Sequence, residues 1–116
     1  MDDQNFEVTS QITGERLAVQ FRWLQTAISL RRSDTVDVKF LVNGEGKVVA
    51  LPHAPLEQGC RENGLRLTDP LCRRLAARHL EAALSAGEDA GQDLLTLTPA
   101  RVAELLRAEA QAARRS

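Results

Sequence analysis

At 116 residues the chain has the length of one ordinary domain, enough for a single hydrophobic core and short for two. Fifteen basic against sixteen acidic residues leave a net charge of −1, so no global field recruits nucleic acid or an anionic membrane, and such binding would need a local patch. Two Cys, one Trp and no Tyr are too few for a disulfide framework or for the stacking platforms of many single-strand nucleic-acid binders.

The start, Met1-Asp2-Asp3-Gln4-Asn5, is acidic and polar, unlike the basic lead and apolar run of a signal peptide, and no stretch has the apolar length of a membrane span. A cytosolic home is expected, in which Cys60 and Cys72 stay reduced as buried small hydrophobes. Thirteen of the fifteen basic residues are Arg, which with the many Ala reads as a bacterial-like, GC-rich composition. Near Pro52 the chain changes character. Residues 1–51 hold thirteen Val, Ile or Thr and three Ala, whereas residues 52–116 hold four and thirteen, so strand composition gives way to helix composition.

In the strand-rich half, a two-residue turn at Thr13-Gly14 pairs Ile12 with Glu15, Ser10 with Leu17, Val8 with Val19 and Phe6 with Phe21. One face is then nearly all apolar, and the other carries Glu7, Thr9, Gln11, Arg16, Ala18, Gln20 and Arg22. Leu17, Phe21, Leu24 and Ile28 also recur at helical spacing. Strand is the better reading because Val19 and Trp23 fit the period of two and the upstream partner matches it. Thr26 to Leu30 reads as a further strand and Arg31-Arg32-Ser33-Asp34 as a polar turn. Val36, Val38, Phe40 and Val42 then alternate with Asp37 and Lys39 up to the turn segment Asn43-Gly44-Glu45-Gly46, after which Lys47 to Leu51 returns. Val38, Phe40, Val49 and Leu51 share one face. The other receives Asp37, Lys39, Leu41, Val48 and Ala50 and is only half polar, so Leu24, Leu41 and Val48 are expected to be covered, by a helix of the same chain or by a second copy, and are the candidate oligomer interface.

Pro52 and Pro55 bracket His53 in a connector that ends the ladder and opens a short helix from Pro55 to Asn63, closed by Gly64. Thr68-Asp69-Pro70 starts a longer helix carrying Leu71, Cys72, Leu75, Ala76, His79, Leu80, Ala83 and Leu84 as far as about Ala86, ended by Gly87. After a polar loop at Glu88 to Asp93, Leu94 to Leu97 reads as a short strand. Thr98-Pro99 opens a last helix with Val102, Leu105 and Leu106, and the Ala-Arg tail after Glu109 is expected to fray.

His53, Cys60, Cys72 and His79 are every His and Cys in the chain, a competent zinc donor set, but separations of seven, twelve and seven residues lack the close pairs of structural zinc sites, so no metal and no cofactor is assigned. Cys72, in a first helical turn beside Arg73 and Arg74, has a setting that favours thiolate. His79 lies about 10 Å further along the helix, too far to serve as its base. Residues 61–79 carry Arg61, Arg66, Arg73, Arg74 and Arg78 against Glu62 and Asp69, which could grip phosphate or an acidic surface or simply solvate a helix face. Asn43-Gly44-Glu45-Gly46 joins two strands and lacks the Lys and following helix of a phosphate cradle.

These features predict an α+β domain of residues 1–116: a mainly antiparallel sheet of four to five strands from the N-terminal half, covered on one face by two to three helices from the C-terminal half. The leading functional expectation is a small interaction or regulatory module, homodimeric through the half-apolar second face and without catalysis, with no membrane association. Nucleic-acid or anionic-partner binding through the five Arg residues is the alternative, followed by an enzyme using Cys72.

Overall fold

The computed structural model describes residues 5–27, 34–87 and 93–115. Its elements follow in the order β1 (Asn5–Thr9), β2 (Arg16–Ala27), β3 (Thr35–Val42), β4 (Glu45–Pro52), α1 (His53–Asn63), α2 (Asp69–Ala86), β5 (Leu94–Thr96) and α3 (Pro99–Arg115). The five strands form one sheet in sequence order. The first four pair antiparallel, and β5 lies parallel to β4. A parallel neighbour requires a crossover, and α1 and α2 provide it. The fold is therefore α+β, with four of the five strands in the N-terminal half and three helices in the C-terminal half, where β5, expected with the N-terminal strands or as a separate short strand, lies between α2 and α3.

One sheet face carries the core. Phe40 is fully buried at its centre, with the rings of Phe6 and Phe21 packed edge-on at 6.3 and 6.0 Å. Val36, Val38, Val49 and Leu51 continue the same face along β3 and β4, and Leu71, Leu75, Leu80 and Leu84 of α2 belong to the same core. Helix α2 touches all four antiparallel strands, α1 lies against β4, and α3 packs on α1 and α2. The α1–α3 crossing is close because Gly59 has no side chain: a Cβ there would stand 2.3 Å from Leu106 Cδ1.

The helix starts and stops follow their local chemistry. Thr68 Oγ1 accepts the Leu71 amide and Thr98 Oγ1 the Arg101 amide. Gly64 and Gly87 close α1 and α2 at φ +67° and +74°, the left-handed conformation that a Cβ disfavours. Helix α3 extends past Glu109 to Arg115, with Ala110 buried and residues 111–113 exposed.

Three strand details differ from the expected pairing. The first hairpin is shifted by two residues, Phe6 opposing Val19 and Val8 opposing Leu17, around a four-residue loop from Gln11 to Gly14. The Ser10 hydroxyl accepts the amides of Ile12 and Thr13, and the Ser10 carbonyl accepts that of Gly14 at φ +75°. This local network wins over the tighter turn and leaves Ile12 at the loop tip. An even shift preserves the faces. In the second hairpin only Asn43 and Gly44 form the turn, both with positive φ, and Glu45 and Gly46 already belong to β4. Lys47 therefore opposes Phe40 on the helix-covered face and is 3% exposed.

The third difference is a bulge. Phe21 opposes Phe40 but Trp23 opposes Lys39, so Arg22 is the extra residue and the parity of β2 inverts there. Leu17, Val19 and Phe21 face the helices before the bulge, and Leu24 does so after it. The expected placements of Trp23 and Leu24 are thus exchanged. Of the further strand expected from Thr26 to Leu30, Thr26 and Ala27 are the end of β2, and the remainder lies with residues 28–33 and 88–92 outside the described set.

Candidate functional site

The helix-free side of the sheet is the candidate site. Antiparallel pairing places Glu7, Thr9, Arg16, Ala18, Gln20, Trp23, Gln25, Asp37, Lys39, Leu41, Val48 and Ala50 on it, and β5 adds Leu94 and Thr96. Its apolar part is a row across four strands, Trp23, the stem of Lys39, Val48 and Leu94, with Leu41 beside it. Trp23 is 38% exposed and Leu94 56%, and Leu41 and Val48 are half-buried. Lys39 lies along the sheet, its Nζ 5.8 Å from the Trp23 ring centroid and its Cε so near Gly46 that a Cβ there would approach it to 3.0 Å. The neighbouring Asp37 is held by the Thr35 hydroxyl, which donates to it at 2.9 Å. Towards the Asn43-Gly44 turn the surface dips into a concavity of about 440 Å³ bordered by Glu7, Ala18, Gln20 and Leu41. Of the expected interface residues, Leu41 and Val48 lie on this face and Leu24 does not. The bulge at Arg22 turns Leu24 towards Val38 in the core and puts Trp23 in its place.

The arginines are largely engaged within the chain. Arg74 and Arg78 donate from Nε to the two oxygens of Glu109, at 3.2 and 3.0 Å, and the Glu109 side chain is only 9% exposed. Arg73 lies over the Phe21 ring at 5.5 Å, and Arg61 pairs with Glu57 at 3.2 Å. Arg66 is exposed in the α1–α2 connection. Arg61 reaches back along its own helix, while Arg74 and Arg78 clamp α2 to α3. Glu109 continues the stripe of Val102, Leu105 and Leu106, a spacing at which a carboxylate signals a buried partner.

Cys72 is buried and its thiol is pushed up to about 12, first by desolvation and then by Asp69 and Cys60, with its backbone hydrogen bond acting weakly the other way. The expectation that the helix start and its Arg neighbours favour thiolate is thereby corrected. Arg73 and Arg74 turn away to Phe21 and Glu109, and what remains is an apolar, acid-flanked site. Burial raises Cys60 as well. His53 lies 3.7 Å from Glu57, and His79 Nδ1 accepts from Arg101 Nε at 3.2 Å. Among the described residues no three His, Cys, Asp or Glu side chains are grouped so as to hold a metal ion.

A cleft of about 480 Å³ at the hairpin ends is lined by Ser10, Leu17, Val42, Lys47 and Leu84. Lys47 was legible as an inward position, since it shares parity with Val49 and Leu51. Among the described residues no helix is long and apolar enough to cross a membrane. In comparisons with known proteins, the chain matches no protein-family model, no curated protein and no solved structure.

Proposed function

We propose that this chain is a small protein-interaction or regulatory module, without catalysis of its own, that pairs with a second copy through the helix-free face of its sheet. The observation supporting this reading is the asymmetry of the sheet. One face is roofed by α2, whereas the other presents Trp23, Leu41, Val48 and Leu94 together, a grouping that monomeric proteins seldom leave in water. A cytosolic setting and a bacterial-like composition accompany it, with Cys60 and Cys72 as buried thiols. Anionic-partner binding through the Arg residues is the weaker reading, because Glu109 and Glu57 already take three of the five guanidiniums.

Size-exclusion chromatography with light scattering tests the proposal. The expected mass is twice the 12.8 kDa of the chain, falling to the single-chain value in Leu41→Glu and Val48→Glu with an unchanged circular dichroism spectrum. A wild-type protein that stays a single chain at high concentration would sink the reading.

A further inference from the structure

The helix-free face carries a pattern that specifies how a second copy would sit on it. Two adjacent rows cross the sheet at its middle. Trp23, Lys39, Val48 and Leu94 form one, and Gln25, Asp37, Ala50 and Thr96 form the next. In β4 and β5 the first row is bulky where the second is small, Val48 beside Ala50 and Leu94 beside Thr96. Along β3 the first row is cationic where the second is anionic.

We propose that two copies meet about a two-fold axis running across the strands between these rows, so that Asp37 of each copy pairs with Lys39 of the other. The proposal rests on the reading of this face as the self-association surface. The same operation sets Val48 over Ala50, Leu94 over Thr96 and Trp23 over Gln25, filling small with large as interdigitating sheets require. Asp37 and Lys39 have no ion-pair partner among the described residues, yet each is positioned, Asp37 by Thr35 and Lys39 by the Trp23 ring. Little side-chain freedom is left to lose on pairing. The charges placed on the face, Glu7 and Asp37 with Arg16 and Lys39, sum to zero, so a second copy meets no like-charge field.

The size is also sufficient. Strands of 5, 12, 8, 8 and 3 residues, with about 3.3 Å of rise per residue and about 4.8 Å between strands, make a face of roughly 570 Å² in projection, which two copies double to about 1,100 Å² before side-chain relief is counted. That clears the roughly 1,000 Å² expected of a biological interface and lies at the small end of the scale, below the roughly 1,200 Å² at which stable ones begin.

A charge exchange is the test. Asp37→Lys sets cation against cation and Lys39→Asp sets acid against acid, so each variant alone should self-associate at least tenfold more weakly than wild type by sedimentation. An equimolar mixture of the two should recover association as a heterodimer, resolved from either homodimer by native mass spectrometry. The chain carrying both exchanges should again pair with itself, which keeps the test decisive if one single variant folds poorly. Homodimers of wild-type strength in the single variants, or a mixture that forms no heterodimer, would overturn the register. If Leu41→Glu still abolishes wild-type dimers, the face reading survives that failure, whereas a single-chain wild type removes both.

Discussion

Glu109 lies on the apolar stripe of α3 with a guanidinium at each of its oxygens, both from α2. Breaking such a cluster from its buried side strips both cations of their partner, although the arginines are near half exposed and can turn partly to water. Glu109→Ala is therefore expected to cost about 2 to 3 kcal/mol by urea denaturation, below the range for a fully buried pair. Glu109→Leu, which extends the stripe, should cost less. Cys72 gives a pH signature. The folded thiol keeps its proton to about pH 12, whereas an unperturbed one releases it near 9.0, so its contribution to stability is intact below pH 9 and declines above it. Each pH unit in that window removes up to about 1.4 kcal/mol. Denaturation midpoints between pH 8 and 11 should fall more steeply in wild type than in Cys72→Ala; equal slopes would contradict this placement of the thiol. Both residues show what could be read in advance. Cys72 had two legible environments, a helix start that favours charge and an apolar face that opposes it. Only tertiary packing decided between them, by sending Arg73 and Arg74 elsewhere.

At the level of elements, α1 and α3 touch where Gly59 meets Leu106. Alanine at position 59 would gain about 1 kcal/mol of helix propensity but drive a methyl into a fully buried leucine with nowhere to go, a strain of about 1 to 3 kcal/mol. Gly59→Ala should thus be neutral to destabilising in the wild-type chain and stabilising in a Leu106→Ala background. A double-mutant cycle of thermal or urea stabilities measures that reversal, and additive effects would refute it. The helix limits were legible because their signals are local: Thr68 and Thr98 cap through their own hydroxyls, and Gly64 and Gly87 stop helices by conformational freedom. The alternation of β3 was legible for the same reason. The bulge was not. Nothing around Arg22 announces an extra residue, since either parity of β2 places apolar side chains inward, Trp23 under one and Leu24 under the other. The choice is made by the partner β3, which brings Val38 opposite Leu24.

As a whole the molecule is a slab of 40 × 38 × 22 Å, helices on one side and open sheet on the other. The division at Pro52 foretold this layering, because a strand-rich half and a helix-rich half can each bury an apolar face only against the other. A strand at Leu94 to Leu97 was legible within the helical half, but its parallel pairing with β4 was not. A back-to-back pair would stack helix, sheet, sheet and helix layers, with both roofs outermost. The Arg22 bulge has one more consequence. It turns the chain's single Trp outward, and with no Tyr present the near-ultraviolet emission of the protein comes from this one indole. The molecule therefore carries an optical gauge confined to the face in question. Covering it should move the emission to shorter wavelengths, while events among the helices leave the colour unchanged.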